Sequence, residues 1–187
     1  MIENNVAITS TLVVYEISVP GREPIEERVF EVLAPEIAAE VRAISIERRG
    51  ADPESGMGIH PDAFKKAMEY EYAFAKAGGL LAAGVDPTGY GAAPPGLGDQ
   101  RNYELLLEAG FTPSEVVQIM SANGAKVLGI DHEVGTIEAG KIADLVVITG
   151  DVEEVGHIRN TKIVFRHGIG WDSKALYNSV KGLVGIR

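Results

Sequence analysis

The run Leu80-Leu81-Ala82-Ala83-Gly84-Val85-Asp86-Pro87-Thr88-Gly89 sets a single acid at the end of a short apolar stretch and directly before a Gly/Pro-rich loop. A stretch of this length and composition predicts a strand buried in a parallel sheet. Asp86 then stands at the carboxyl end of that strand, which is where α/β barrels carry their chemistry. One carboxylate makes neither a metal site nor an acid/base pair, so partners for it have to come from elsewhere.

Upstream, Val6-Ala7-Ile8-Thr9-Ser10-Thr11-Leu12-Val13-Val14-Tyr15 is rich in β-branched residues and predicts a second strand, buried on both faces. Between the two strands, Pro24-Ile25-Glu26-Glu27 opens a helix with Pro in its first turn and acids at its positive end. Helical spacing continues through Val41 with an interruption at Pro35, which predicts one kinked helix or two short ones. Gly50 to Pro61 is a loop that contains His60. Pro61-Asp62-Ala63-Phe64 begins a helix with Phe64, Ala67, Met68, Tyr72 and Ala75 on one face, ended by Gly78-Gly79. Strand, helices and strand in this order make a βαβ unit of a parallel sheet.

Downstream, a Gly/Pro loop runs to about Gln100 and a helix follows from Asn102 to Ala109. Thr112 as N-cap, Pro113 at the first position and Glu115 as the capping-box acid open the next helix. That helix is expected to turn Val116, Val117, Ile119, Met120 and Val127 toward a core and to end at Gly129. From Gly135 the texture changes, and Asp144 to Thr149 and Lys162 to Arg166 predict the strands of a small β-rich layer.

Composition removes several function classes. A formal charge of −10 repels a polyanion, so nucleic acid is not an expected partner. The absence of cysteine excludes disulfides, thiolate metal sites and a Cys nucleophile. None of His60, His132, His157 and His167 pairs with another at the two- or four-residue spacing that sets two imidazoles on one metal. No segment approaches the roughly 18 continuous apolar residues of a membrane span. No membrane partner is expected, and the cytoplasm is the expected compartment.

Four blocks now fall in order: Asp86 with its Gly-rich loop, Glu104-Leu105-Leu106-Leu107-Glu108-Ala109-Gly110-Phe111-Thr112-Pro113, Ala122-Asn123-Gly124-Ala125-Lys126-Val127-Leu128-Gly129, and Gly135-Thr136-Ile137-Glu138-Ala139-Gly140-Lys141-Ile142-Ala143-Asp144-Leu145-Val146-Val147. Together they resemble the C-terminal half of the metal-dependent amidohydrolase superfamily, nearest to its imidazolonepropionase and prolidase-like branch. The resemblance implies an α/β chain forming the C-terminal part of a (β/α)8 barrel plus a small β-sandwich segment. Residues 1–130 would be the partial barrel and residues 131–187 the β-rich composite-sandwich segment and tail. Val6 to Val14 would be barrel strand seven and Leu80 to Val85 strand eight. Asp86 would be the acid that ends strand eight, contacts the more buried metal and takes a proton from the attacking water. The implied cofactor is a divalent metal, zinc in the first instance, and the implied substrate a small molecule with an amide or related C–N bond.

The superfamily's other ligands are a His-x-His pair, a carboxylated lysine or glutamate and two further histidines, all from the first six strands. A barrel of this kind needs roughly 250 residues. The resemblance therefore implies a C-terminal portion with at most one inherited metal ligand, inactive as an isolated chain.

Blander readings stand beside these. An Asp before Pro also caps turns. The loop from Thr88 to Gly98 lacks the Lys and spacing of a phosphate-cradling loop and fits a cover over a barrel mouth, with Tyr90 as a substrate contact. Thr11 falls near the same rim as a substrate neighbour, although hydroxyls at strand ends also satisfy local backbone. The four histidines are expected in loops or the β-rich tail rather than as ligands, and Lys141 and Asp144 at turns and strand edges. A competing expectation is a non-catalytic module that forms a homo-oligomer or completes a barrel with a partner chain, since two barrel strands leave open edges.

Overall fold

The computed structural model describes residues 1–87, 92–151 and 154–185. Two parallel strands, β1 (Ile8–Ser10) and β2 (Leu81–Ala83), pair in the register Ile8 to Leu81, Thr9 to Ala82 and Ser10 to Ala83. The chain between them forms α1 (Leu12–Glu16), α2 (Glu27–Val32), α3 (Pro35–Arg49) and α4 (Pro61–Lys76). After β2 come α5 (Leu97–Glu108), α6 (Pro113–Gln118) and α7 (Gly124–Leu128). The C-terminal part holds the antiparallel strands β3 (Leu145–Ile148), β4 (Thr161–Arg166) and β5 (Ile169–Asp172) and then α8 (Ser173–Ser179).

The helix boundaries follow local chemistry. Pro35 occupies the first position of α3 and so separates it from α2 instead of kinking one long helix. The His60 ring nitrogen accepts the Asp62 N–H at 3.1 Å and caps α4. Thr112 and Glu115 form the expected reciprocal capping box at α6. Helices α6 and α7 join through a π-turn over Ile119–Asn123. There Ser121 donates back to the Val117 carbonyl at 2.6 Å, a side-chain bond that loosens the regular ladder. Gly129, at φ 70, takes the left-handed position that ends α7.

The upstream strand is shorter than the sequence predicts. Strand pairing stops at Ser10, and Leu12–Glu16, expected to stay extended, is the helix α1. An apolar run of this size satisfies either state, and tertiary contact decides it. Leu12 and Val13 are buried against the main core, and the Val13 N–H is taken by the side chain of Asn102 at 3.3 Å instead of by a neighbouring strand. Two further expectations are corrected on α6 and α7: Val116 and Ile119 are buried, but Val117 and Val127 face outward. Helix α5 also begins five residues earlier than Asn102, at Leu97.

Two buried clusters lie among these elements. The larger unites Leu12, Phe64, Phe74, Leu81, Tyr103 and Leu106 with their neighbours, packing α1, α4 and α5 against β1 and β2. The smaller joins Ile17, Val29, Phe30, Leu33 and Val41 around α2 and α3. The β-rich layer is one three-stranded sheet, in the order β3-β4-β5.

Candidate functional site

The carboxyl ends of β1 and β2 meet beneath the first turns of α5. Gly84 N–H donates to the Ser10 carbonyl at 2.9 Å, continuing the ladder one step past β2. Asn102, fully buried on α5, then inserts its side-chain amide where the next backbone group would sit. Its nitrogen lies 3.5 Å from both the Ser10 and Gly84 carbonyls, while its oxygen accepts Val13 N–H. Gly98, one helical turn earlier, lets α5 close onto the same segment: a Cβ there would stand 3.1 Å from Val85 Cγ1. Val85 is buried, and Asp86 follows it out to solvent with φ 45. A positive φ is uncommon for a non-glycine residue but tolerated by Asp, and it turns this acid away from the sheet line.

Thr11 lies at the end of β1, half-buried, as the N-cap residue of α1 with no side-chain cap bond. Tyr90 lies outside the described residues. The histidines are dispersed. His60 caps α4, His132 lies 3.4 Å from its neighbour Glu133, the His157 ring accepts the Asp151 N–H at 3.0 Å, and His167 donates its N–H to Asp144 at 2.7 Å. Lys141 donates to the Asp131 carbonyl at 2.7 Å, and Asp144 also pairs with Arg166, so both serve the turns around β3.

A pocket of about 240 Å³ opens between α1, α2 and the start of α5. Its walls include Glu16, Glu26, Arg49, Arg101 and Arg159 over an apolar floor with Val13, Ile17 and Leu97. Glu16 is gripped by Arg101 at 2.8 and 2.7 Å and by Arg22 at 2.8 Å. Glu104 is held by Arg159 at 2.6 and 2.7 Å and by Arg101 at 2.8 Å. Burial pushes both carboxyls up, but the hydrogen bonds and charges of these arginines outweigh it and hold both below the usual glutamate range. The sequence reading missed Asn102 and this network. The available signal was a set of polar residues, Arg101, Asn102 and Glu104, on a helix otherwise rich in buried leucines.

Among the described residues no group of three or more His, Asp or Glu side chains converges as metal ligands do. One exposed carboxylate does not make a tight metal site, so the residues present do not by themselves fit the implied cofactor. No described helix is long and apolar enough to cross a membrane.

Comparison with known proteins agrees with the fold. Residues 100–170 match the model of the amidohydrolase family, and the chain superposes on a Xaa-Pro dipeptidase with methionine bound in its active site, at TM-score 0.59 and 22% identity, over 92% of this chain and 36% of that one. The likeness to the amidohydrolase family lies in that segment. A second structure of similar fold is a prolidase complexed with N-methylphosphonate-L-proline, at TM-score 0.50 and 24% identity, over 75% of this chain and 33% of that one. In sequence, adenine deaminase 4 of Rhizobium meliloti (strain 1021) is 36% identical over 44 residues, 24% of this chain and 7% of that protein. The chain thus spans about a third of the length of these two structures and less than a tenth of that curated relative.

Proposed function

We propose that this chain supplies the C-terminal part of a hydrolase acting on amide or related C–N bonds in small molecules, dipeptide-like or cyclic ones included. In this reading β1 and β2 are strands seven and eight of a (β/α)8 barrel, residues 1–130 belong to that barrel, and residues 131–187 form a composite β-sandwich segment with its tail. Asp86 is the catalytic acid: its carboxylate accepts a proton from the attacking water and delivers it to the departing nitrogen. Thr11 and Tyr90 are neighbours of the substrate. A divalent cation such as zinc lowers the pKa of a bound water toward ~7. The described residues offer it at most one ligand, Asp86, and no step here is routed through it.

The observation that carries this reading is the position of Asp86. It leaves a parallel strand at its carboxyl end and turns outward, in a chain whose fold resembles a Xaa-Pro dipeptidase over 92% of its length. The experiment is turnover of the complete protein on a panel of Xaa-Pro dipeptides and adenine, with Asp86→Asn beside the wild type. Loss of a general acid/base is expected to lower kcat by about 100-fold or more. Normal turnover by Asp86→Asn would remove the role.

A second reading, a non-catalytic module that pairs with another copy or a partner chain, draws on a different observation. Among the described residues no third strand joins β1 or β2, although Asn123 donates to the Leu81 carbonyl at 2.8 Å, and Val146, Ile169 and Trp171 of the β-rich layer are more than half exposed. Size-exclusion chromatography with light scattering separates the two. A concentration-dependent dimer favours the module, whereas a monodisperse monomer binding no zinc counts against it.

A further inference from the structure

We propose that Asn102 is a positioning residue for Asp86, holding the end of β2 so that the acid leaves the sheet at a fixed place. The inference rests on the hydrolytic reading above for its catalytic consequence. Its structural part stands on geometry alone.

The β1–β2 ladder needs a further backbone partner after the Gly84–Ser10 bond, because the Gly84 carbonyl still points between the strands. That partner is missing once α1 begins at Leu12. The Asn102 amide carries the donor and acceptor of a peptide group and fills the gap, touching Ser10, Gly84 and Val13 at once. An apolar residue of the same size would take this partner from the Val13 N–H and the Gly84 carbonyl, while the Ser10 carbonyl would keep the Gly84 N–H. Gly98 completes the grip from the same helix, lying so close that an added Cβ would stand 3.1 Å from Val85 Cγ1 and 3.3 Å from the Ala93 backbone. Residues 84 and 85 are therefore held by α5 immediately before the chain adopts the positive φ of Asp86. Such a backbone persists only where its surroundings support it, and Asn102 and Gly98 hold the two residues that lead into it.

The test is a double-mutant cycle in turnover. Asn102→Ala is expected to lower kcat about 10- to 100-fold with KM nearly unchanged, since a misplacement near 1 Å has that consequence. In the Asp86→Asn background it should produce no further loss, because both substitutions disable the same carboxylate. A kcat within about two-fold of wild type, or losses that multiply as for a purely structural residue, would overturn the proposal. Should Asn102→Ala fail to fold, Gly98→Ala, which pushes α5 off Val85 by a few tenths of an ångström, should give a smaller kcat loss with the same non-additivity; multiplicative losses there would count equally against it. If the wild type hydrolyses nothing in the panel, the hydrolytic reading fails separately. Amide exchange in the 187-residue chain then still decides the structural part. Asn102→Ala should speed exchange at Gly84 about five-fold while leaving Phe165 unchanged, and no acceleration at Gly84 would sink it.

Discussion

The residues up to α7 and the residues after it solve the same problem in opposite ways. The first region contains every buried hydrophobic side chain among the described residues, from Leu12 to Ala125. The second, although rich in Val and Ile, buries none: Val146 and Trp171 face one another across β4 on an open side, and Ile169 is exposed beside them. A three-stranded sheet in which no hydrophobic side chain is fully buried gains little from the hydrophobic effect, so its backbone ladders and its seam with the first region must hold it. The comparison predicts a steep contrast in mutational cost. Leu106→Ala should destabilise by about 3 kcal/mol in urea unfolding, the usual range for a fully buried leucine. Val146→Thr should change stability by less than about 0.5 kcal/mol. Equal costs would mean that the open sheet is covered in solution, as the module reading requires.

What joins the regions is a backbone bridge between Leu33 and Val184, the packing of Ile158 and Val184 against the two clusters, and a set of ion pairs. Arg159, in the turn before β4, reaches Glu104 on α5 and Glu26 ahead of α2, and Tyr177 and Lys181 reach Glu31 on α2. Removing every partner of a buried acid costs roughly 3–5 kcal/mol, but Arg101 remains on Glu104, so Arg159→Ala should destabilise by about 2 kcal/mol. The loss should appear first as faster amide exchange in β4, with β2 unaffected. Acid weakens the Glu104 link of this seam and the Glu16 cluster beside it. Glu16 and Glu104 are held below the ordinary glutamate value of about 4.3, so the unfolded chain binds more protons than the folded one as pH drops. Their contribution is complete above about pH 4.3 and is lost as pH falls through the lowered folded values. Urea melts between pH 7 and pH 3 should show that decline, and Arg159→Ala should flatten it. A decline of unchanged slope in that variant would show that other carboxylates dominate.

The sequence was legible where chemistry is local. Pro35, Pro61, the Thr112-Pro113-Glu115 box and Gly129 each act on their own helix terminus, and the structure puts boundaries at all of them. It was illegible where the deciding partner is distant. Strand β1 stops because Asn102, 89 residues from Val13, takes its N–H. Arg101 and Glu104 look like an ordinary solvated pair three residues apart, yet their other partners, Glu16 and Arg159, lie 85 and 55 residues away. At the candidate site the position of Asp86 after an apolar run could be read directly. Its left-handed backbone could not, because a residue before proline ordinarily stays extended.

A gain in stability, not a loss, tests the quieter side of the well-packed region. Glu71 on α4 is buried beside Ser10 of β1, and its Oε2 is shielded without a hydrogen-bond partner among the described residues. Burial raises the Glu71 carboxyl above the usual range, and the Ser10 hydroxyl draws it back too weakly to compensate. A raised acid binds its proton more tightly in the folded state, so its favourable contribution is present at low pH and lost as pH rises through the folded value. At pH 7 the ionised side chain is therefore a cost that the core bears, the reverse of Glu16 and Glu104. Glu71→Gln keeps the shape and removes the charge, and should raise stability by about 1 kcal/mol at pH 7. The gain should shrink toward zero at pH 4, where the wild-type carboxyl is protonated in the fold. A gain of equal size at both pH values would trace the effect to packing instead of charge, and no gain at either would mean that Glu71 is better solvated than its burial indicates.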